Sequence, residues 1–139
     1  MKFISLAAAA LAFALPAFAQ ETLSYDTTYD DASLSLADVA CSNGVYGLLS
    51  KGYTTLGSLP KWPNVGGVYT VTGWDSPECG TCYAVTWEST TIYILAVDTA
   101  PDGFNVAEEA MNSLTGGLAV ELGRVDVTST QVDASYCGL

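Results

Sequence analysis

Beyond the first twenty residues, apolar side chains recur mostly at every second position, in short runs separated by turn-forming residues. Residues 68–74, 82–87, 92–97 and 125–132 are rich in Val, Ile, Thr, Tyr and Trp, with Gly, Pro, Asn, Asp and Ser between them. Such alternation predicts half-buried strands, and residues 23–29 predict a first strand before them. One segment carries helical spacing: Ala107, Ala110, Met111 and Leu114 share a face. Asn105 is its expected N-cap, with Glu108 three positions on, and Gly116-Gly117 stop it. A second short helix is expected at 45–51, while 57–67 and 73–81 read as loops. Many short strands, few helices and irregular connections predict a small closed β barrel. No internal repeat or interdomain linker interrupts it.

The start of the chain follows another pattern. Met1-Lys2 precedes an apolar run from Phe3 to Leu15, then Pro16-Ala17-Phe18-Ala19. A basic start, an apolar middle and a small-x-small end are the marks of a secretory signal peptide. The run is shorter than the roughly 20 residues needed to span a bilayer. The expected leader is 1–19, and 20–139 is one exported domain, with no second apolar run to hold it in a membrane.

Charge narrows the partners. Without the leader, Lys51, Lys61 and Arg124 stand against 15 acidic residues. Such a surface repels nucleic acid and anionic lipid, whereas a neutral polysaccharide pays no such penalty. The chain has no histidine. That removes His-based triads, Cys–His nucleophile pairs and His-containing zinc sites. Neither a metal nor a cofactor is expected.

The densest chemistry lies in the decapeptide Gly73-Trp74-Asp75-Ser76-Pro77-Glu78-Cys79-Gly80-Thr81-Cys82. Alone, its C-x-x-C box suggests redox chemistry or metal binding. In an exported chain with four cysteines, two structural disulfides are the simpler reading, and three pairings are open. A redox box also usually opens a helix, whereas residues 83–87 alternate like a strand.

Several blocks together resemble the cerato-platanin family, small cysteine-containing proteins exported by filamentous fungi. They are Ser24-Tyr25-Asp26, Val39-Ala40-Cys41-Ser42-Asn43-Gly44, Pro63-Asn64-Val65-Gly66-Gly67, the decapeptide, Gly103-Phe104-Asn105 and Gly123-Arg124-Val125-Asp126. Their order and spacing match through nearly the whole exported region. The resemblance implies a six-stranded double-psi β-barrel, similar to the first domain of expansins and to barwin-like endoglucanases. It also implies the disulfides Cys41–Cys79 and Cys82–Cys137. Members are described as binding chitin-type N-acetylglucosamine oligomers, as loosening cellulose without hydrolysis and as eliciting plant defence, which brings in plant surface receptors. Some self-assemble at air–water interfaces, so a monomer capable of assembly is expected in the fungal cell wall.

Asp98 is the leading site candidate. It ends the apolar run 92–97 where the chain turns, and the resembling enzymes keep an acid at the equivalent strand end. An aspartate there also serves simply to satisfy a turn. Hydrolysis needs a second carboxylate across the scissile bond. Asp26, Asp75 and Asp102 are available, but nothing in their spacing selects one, and family members lack the second acid. Asp102 stands where relatives often carry a small or basic residue, so a weak endoglucanase with Asp98 as acid remains the alternative. Sugar rings pack their C–H faces on aromatics while their hydroxyls seek polar partners. The resemblance extends the carbohydrate-binding set to Tyr25, Asp26, Ser42, Asn43, Gly44, Trp74, Asp75 and Asn105. Trp62 and Trp74 are the rings expected to be exposed, and Trp87 is expected in the core.

Overall fold

A computed structural model describes residues 19–139, and the expected leader lies outside them except for its last residue, Ala19. Six strands close a barrel: β1 (Ala19–Tyr25), β2 (Val65–Val68), β3 (Cys82–Trp87), β4 (Thr90–Thr99), β5 (Phe104–Val106) and β6 (Arg124–Val132). Their order around the barrel is β1-β5-β2-β4-β3-β6, with β1/β5 and β2/β4 parallel and the other pairs antiparallel. Two parallel pairs in a six-stranded barrel give the expected double-psi arrangement. Two helices, α1 (Glu108–Thr115) and α2 (Ala119–Leu122), connect β5 to β6.

The alternation read from sequence becomes an inside and an outside. Val125, Val127 and Ser129 of β6 point inward and are buried, while Asp126 and Thr128 between them are exposed. Phe104 is fully buried at the centre, met edge-on by Tyr83 at 5.6 Å and Tyr69 at 6.1 Å. Edge-to-face contact sets the positive ring edge against the negative ring face.

Four expectations change. The strand expected at 68–74 lies earlier, at Val65–Val68, inside a stretch that reads as a loop because of Gly66-Gly67. Those glycines mark backbones in contact. A Cβ on Gly66 would lie 2.3 Å from the Asn105 carbonyl oxygen, and one on Gly67 2.2 Å from that of Thr99. The strand expected at 23–29 starts sooner and stops at Tyr25, where Asp26 accepts the Thr28 N–H at 2.9 Å and turns the chain into a 3-10 turn. The helix expected at 45–51 shrinks to a single 3-10 turn, Leu49–Lys51, because the N–H groups of Leu48 and Leu49 return to the carbonyls of Cys41 and Ser42.

The fourth concerns Asn105. It is not a helix cap: it sits in β5, and its side-chain amide donates to the Ser24 hydroxyl at 2.9 Å. The cap for α1 comes from far away in sequence. Asp30 accepts the N–H groups of Glu108 at 2.8 Å and Glu109 at 3.0 Å. A carboxylate there satisfies two free donors and complements the helix dipole.

Both disulfides form with the implied pairing, Cys41–Cys79 and Cys82–Cys137, and no cysteine is free among the described residues. The two cysteines of the C-x-x-C box therefore bond outward, not to each other, and the redox reading falls. The bridges join residues 38 and 55 positions apart. In the chain-entropy account each contributes about 4 kcal/mol. That is a large share of the roughly 5–15 kcal/mol net stability of a domain.

The close approach at β2 yields a direct test. Gly66→Ala is expected to prevent barrel closure, since a methyl group cannot share space with the neighbouring strand. Loss of the dispersed amide NMR spectrum checks it, and a native spectrum for that variant would refute the account.

Candidate functional site

The end of β4 presents Asp98, half-buried, with both oxygens engaged. Oδ2 accepts the Tyr29 hydroxyl at 2.9 Å, and Oδ1 accepts the N–H groups of Ala40 at 3.0 Å and Thr99 at 2.9 Å. Tyr29 is fixed from behind, because the Trp62 indole N–H donates to its carbonyl at 3.0 Å. Trp62 is thus a half-buried buttress packed against the core, not the exposed ring expected from its loop. Trp87 packs against the core as expected, although only partly buried. Burial pushes the Tyr29 phenol well above its ordinary value, and the Asp98 carboxylate and Asp26 charge push it the same way.

Cross-strand register extends this site into a row. Ser24 faces Asn105, Asn105 faces Gly67, and Gly67 faces Asp98. Four strands, β1, β5, β2 and β4, contribute one position each, with glycine as the low point. Tyr25, one step along β1, is half-buried against the core, and Asp26 is exposed at the adjoining turn.

A second cluster stands beside it. Asp75 has φ 56°, and its Oδ1 accepts the Tyr46 N–H at 2.9 Å. Gly44 has φ 90°, and a Cβ there would lie 2.5 Å from Asp75 Cγ. Only glycine admits both that backbone and that carboxylate. Asn43 Oδ1 accepts the Trp74 indole N–H at 2.6 Å, and Ser42 is buried with its hydroxyl turned to the same oxygen at 3.4 Å. Trp74 is 64% exposed, with Val45 80% and Tyr46 43% exposed beside it. Ser42, Gly44 and Asp75 therefore shape the turn, while Trp74 and Tyr46 are what it shows to solvent.

Segment 40–46 joins the two clusters. The Ala40 N–H bonds Asp98, the Cys41 N–H bonds the Val97 carbonyl at 3.1 Å, and Cys41 is bridged to Cys79. The distribution of carboxylates bears on chemistry. Asp26 caps a turn and Asp75 holds Tyr46. Asp102 lies with Gln20, Glu21, Thr22, Arg124 and Asp126 around a separate open hollow of about 320 Å³. Asp98 thus gathers three hydrogen bonds from three residues on its two oxygens.

The cerato-platanin family model matches residues 21–139. The chain belongs to the cerato-platanin family. It is 48% identical over 145 residues to the heat-stable 19 kDa antigen of Coccidioides immitis, covering 100% of this chain and 99% of that protein. The crystal structure of cerato-platanin 3 from M. perniciosa superposes with a TM-score of 0.84 at 51% identity, over 87% of this chain and all of that one. The solution structure of the fungal elicitor cerato-platanin gives 0.76 at 49% identity, over 84% of this chain and 95% of that one.

Sequence reasoning missed Val45 and Tyr46 as site residues, and it missed the bond between Tyr29 and Asp98. Tyr29 lies 69 positions from Asp98, and no local pattern announces such a contact. Its raised phenol gives a pH prediction. The folded state keeps a proton that the unfolded chain releases near the ordinary tyrosine value of 10.0. Stability is then full below that pH and falls as pH rises beyond it. Tyr69, also raised by burial and by Glu21, adds to the slope. Tyr29→Phe is expected to remove part of the alkaline slope and to cost about 1 kcal/mol at neutral pH, by leaving Asp98 Oδ2 without its donor. Urea unfolding across the alkaline range measures both, and an unchanged slope would contradict the assignment.

Proposed function

We propose that this protein is a secreted, non-catalytic polysaccharide-binding protein of the fungal wall. It takes chitin-type N-acetylglucosamine oligomers across the surface between Asp98 and Trp74, and loosens cellulose without hydrolysing it. The observation that supports this most is the shared segment: Ala40 holds Asp98 and Asn43 holds Trp74. Three residues span at most about 11 Å, so a polar floor and an exposed ring stand within reach of one short sugar chain. The ring offers its face, since its N–H is occupied, and a pyranose C–H surface packs on such a face. Asp98 retains acceptor capacity for a sugar hydroxyl beyond its three donors.

Binding is favoured over cleavage because Asp98 is occupied by donors from Tyr29, Ala40 and Thr99, while Asp26 caps its own turn and Asp75 holds Tyr46. Kinship with a protein known as a fungal elicitor supports a role in eliciting plant defence, with plant surface receptors as the proposed partners. Surface activity is a second reading, and it rests on the exposed Leu118, Val120 and Leu122 around α2.

Titration with chitin oligomers, followed residue by residue by NMR, tests the proposal. Shifts are expected at Asp98, Ala40, Asn43 and Trp74, with binding lost in Asp98→Ala and weakened about tenfold in Trp74→Ala. Reducing ends released from cellulose by the wild-type protein would overturn the non-catalytic reading. Shifts confined to the hollow around Arg124 would overturn the site.

A further inference from the structure

Two of the strands that carry the groove row, β1 and β4, also carry a second row on the other side of the closed barrel. Outside β1, β6, β3 and β4, register places Gln20 opposite Thr128, Thr128 opposite Thr86, and Thr86 opposite Thr91. The groove row leaves β1 and β4 through β5 and β2; this one joins them through β6 and β3. Two residues further along, Thr130, Ala84 and Tyr93 form the next row. Gln20, Thr91 and Thr128 are exposed, and the other four are half-buried. Tyr93 stacks on Tyr136, with centroids 5.1 Å apart and planes at 22°, and Tyr136 is 55% exposed. Tyr136 precedes Cys137, whose bridge to Cys82 fixes that end of the face.

What distinguishes this wall is its charge. The chain has 15 acidic residues, yet neither row contains an acidic or a basic side chain. Asp126, Arg124 and the hairpin residue Glu88 border the face without entering it. Alternation alone demands polar residues on the outside of a strand, not uncharged ones. Neighbouring strands lie about 4.8 Å apart and alternate side chains about 6.8 Å apart, so hydroxyls and methyls repeat on a regular grid. The barrel curves, which confines contact with a plane to the central strands.

We propose that this face docks on solid chitin. A neutral surface demands that no charge be desolvated against it, and the two rows have no charged side chain to desolvate. Chitin displays hydroxyls, acetamides and acetyl methyls. The Thr86 and Thr91 hydroxyls bond each other at 2.7 Å, and their remaining capacity, with Thr128, Thr130 and the Gln20 carboxamide, pairs with the first two, while the threonine and Ala84 methyls pack against the third. The groove then handles a single chain while the opposite wall rests on the solid.

Depletion of the secreted chain from solution by chitin powder, beside titration with soluble chitin oligomers, tests this separately from the groove. Thr91→Asp with Thr128→Asp is expected to lower adsorption about tenfold while oligomer affinity stays unchanged. Thr91→Lys with Thr128→Lys is expected to lower it likewise, because a charge of either sign is penalised. Ser113→Asp, on exposed α1 surface, controls for a charge added away from the face and leaves adsorption intact. NMR fingerprints confirm that each variant is folded. Adsorption that is unaltered in both pairs, that rises with lysine, or that falls equally in Ser113→Asp overturns the proposal. So does adsorption lost only in Trp74→Ala, which would assign the solid to the groove, or concentration-dependent self-association through the face.

Discussion

The segment from Ala40 to Tyr46 contains no regular secondary structure, yet the site depends on where it lies. Its anchors are two backbone N–H groups donated to the end of β4, one bridge to Cys79, and one carboxylate, Asp75, reaching Tyr46. The anchors fall on Ala40, twice on Cys41 and on Tyr46, so the segment has little freedom to rotate or slide. The positive φ at Asp75 is strained for a non-glycine residue, at a cost of order 1–3 kcal/mol. A disulfide of long span offsets a strain of that size, which fits the placing of the bridge four residues beyond the strained turn.

Asp98 shows how one carboxylate serves shape before chemistry. It joins Tyr29 and Ala40, two distant points of the long connection between β1 and β2, to its own neighbour Thr99 at the end of β4. Substituting it removes a shared acceptor as well as a charge. Loss of binding in Asp98→Ala therefore combines lost contact with lost arrangement. Tyr29→Phe separates them, because it disturbs one donor and leaves the carboxylate.

Much of the barrel is legible as alternation, which holds through residues 92–94 of β4 and 125–129 of β6, while 95–97 are buried without a break. β2 is not legible in this way, because its identity rests on what its glycines touch. A Gly-Gly pair looks like a turn until the strands on either side are in place, and close approach between remote backbones leaves no local pattern. The cap on α1 escaped for a similar reason: Asn105 has the right side chain and spacing, but Asp30 reaches the helix through tertiary contact. In the site, the blocks around Asn43, Trp74 and Asp98 could be named because the family resemblance marks them. Their division into groups that face solvent and groups that hold the turn could not. Ser42, Gly44 and Asp75 have polar or glycine chemistry suited to a sugar, and only burial and hydrogen-bond partners show where that chemistry is spent.

The topology also explains how one small barrel supports two dissimilar outer walls. β1 and β4 are long enough to project side chains at both ends, so each takes part in both rows: Ser24 and Asp98 in one, Gln20 and Thr91 in the other. Across β5 and β2 the strands are three and four residues long, flanked by loops, and the surface there is uneven. Across β3 and β6 the strands are longer and antiparallel, with hairpin pairing between β3 and β4, and the surface is a regular ladder. Irregular connections can fold over a strand end to make a groove, whereas a continuous ladder leaves its outward side chains in repeating order. The difference between the walls thus follows from strand length and connection, before any residue type is chosen.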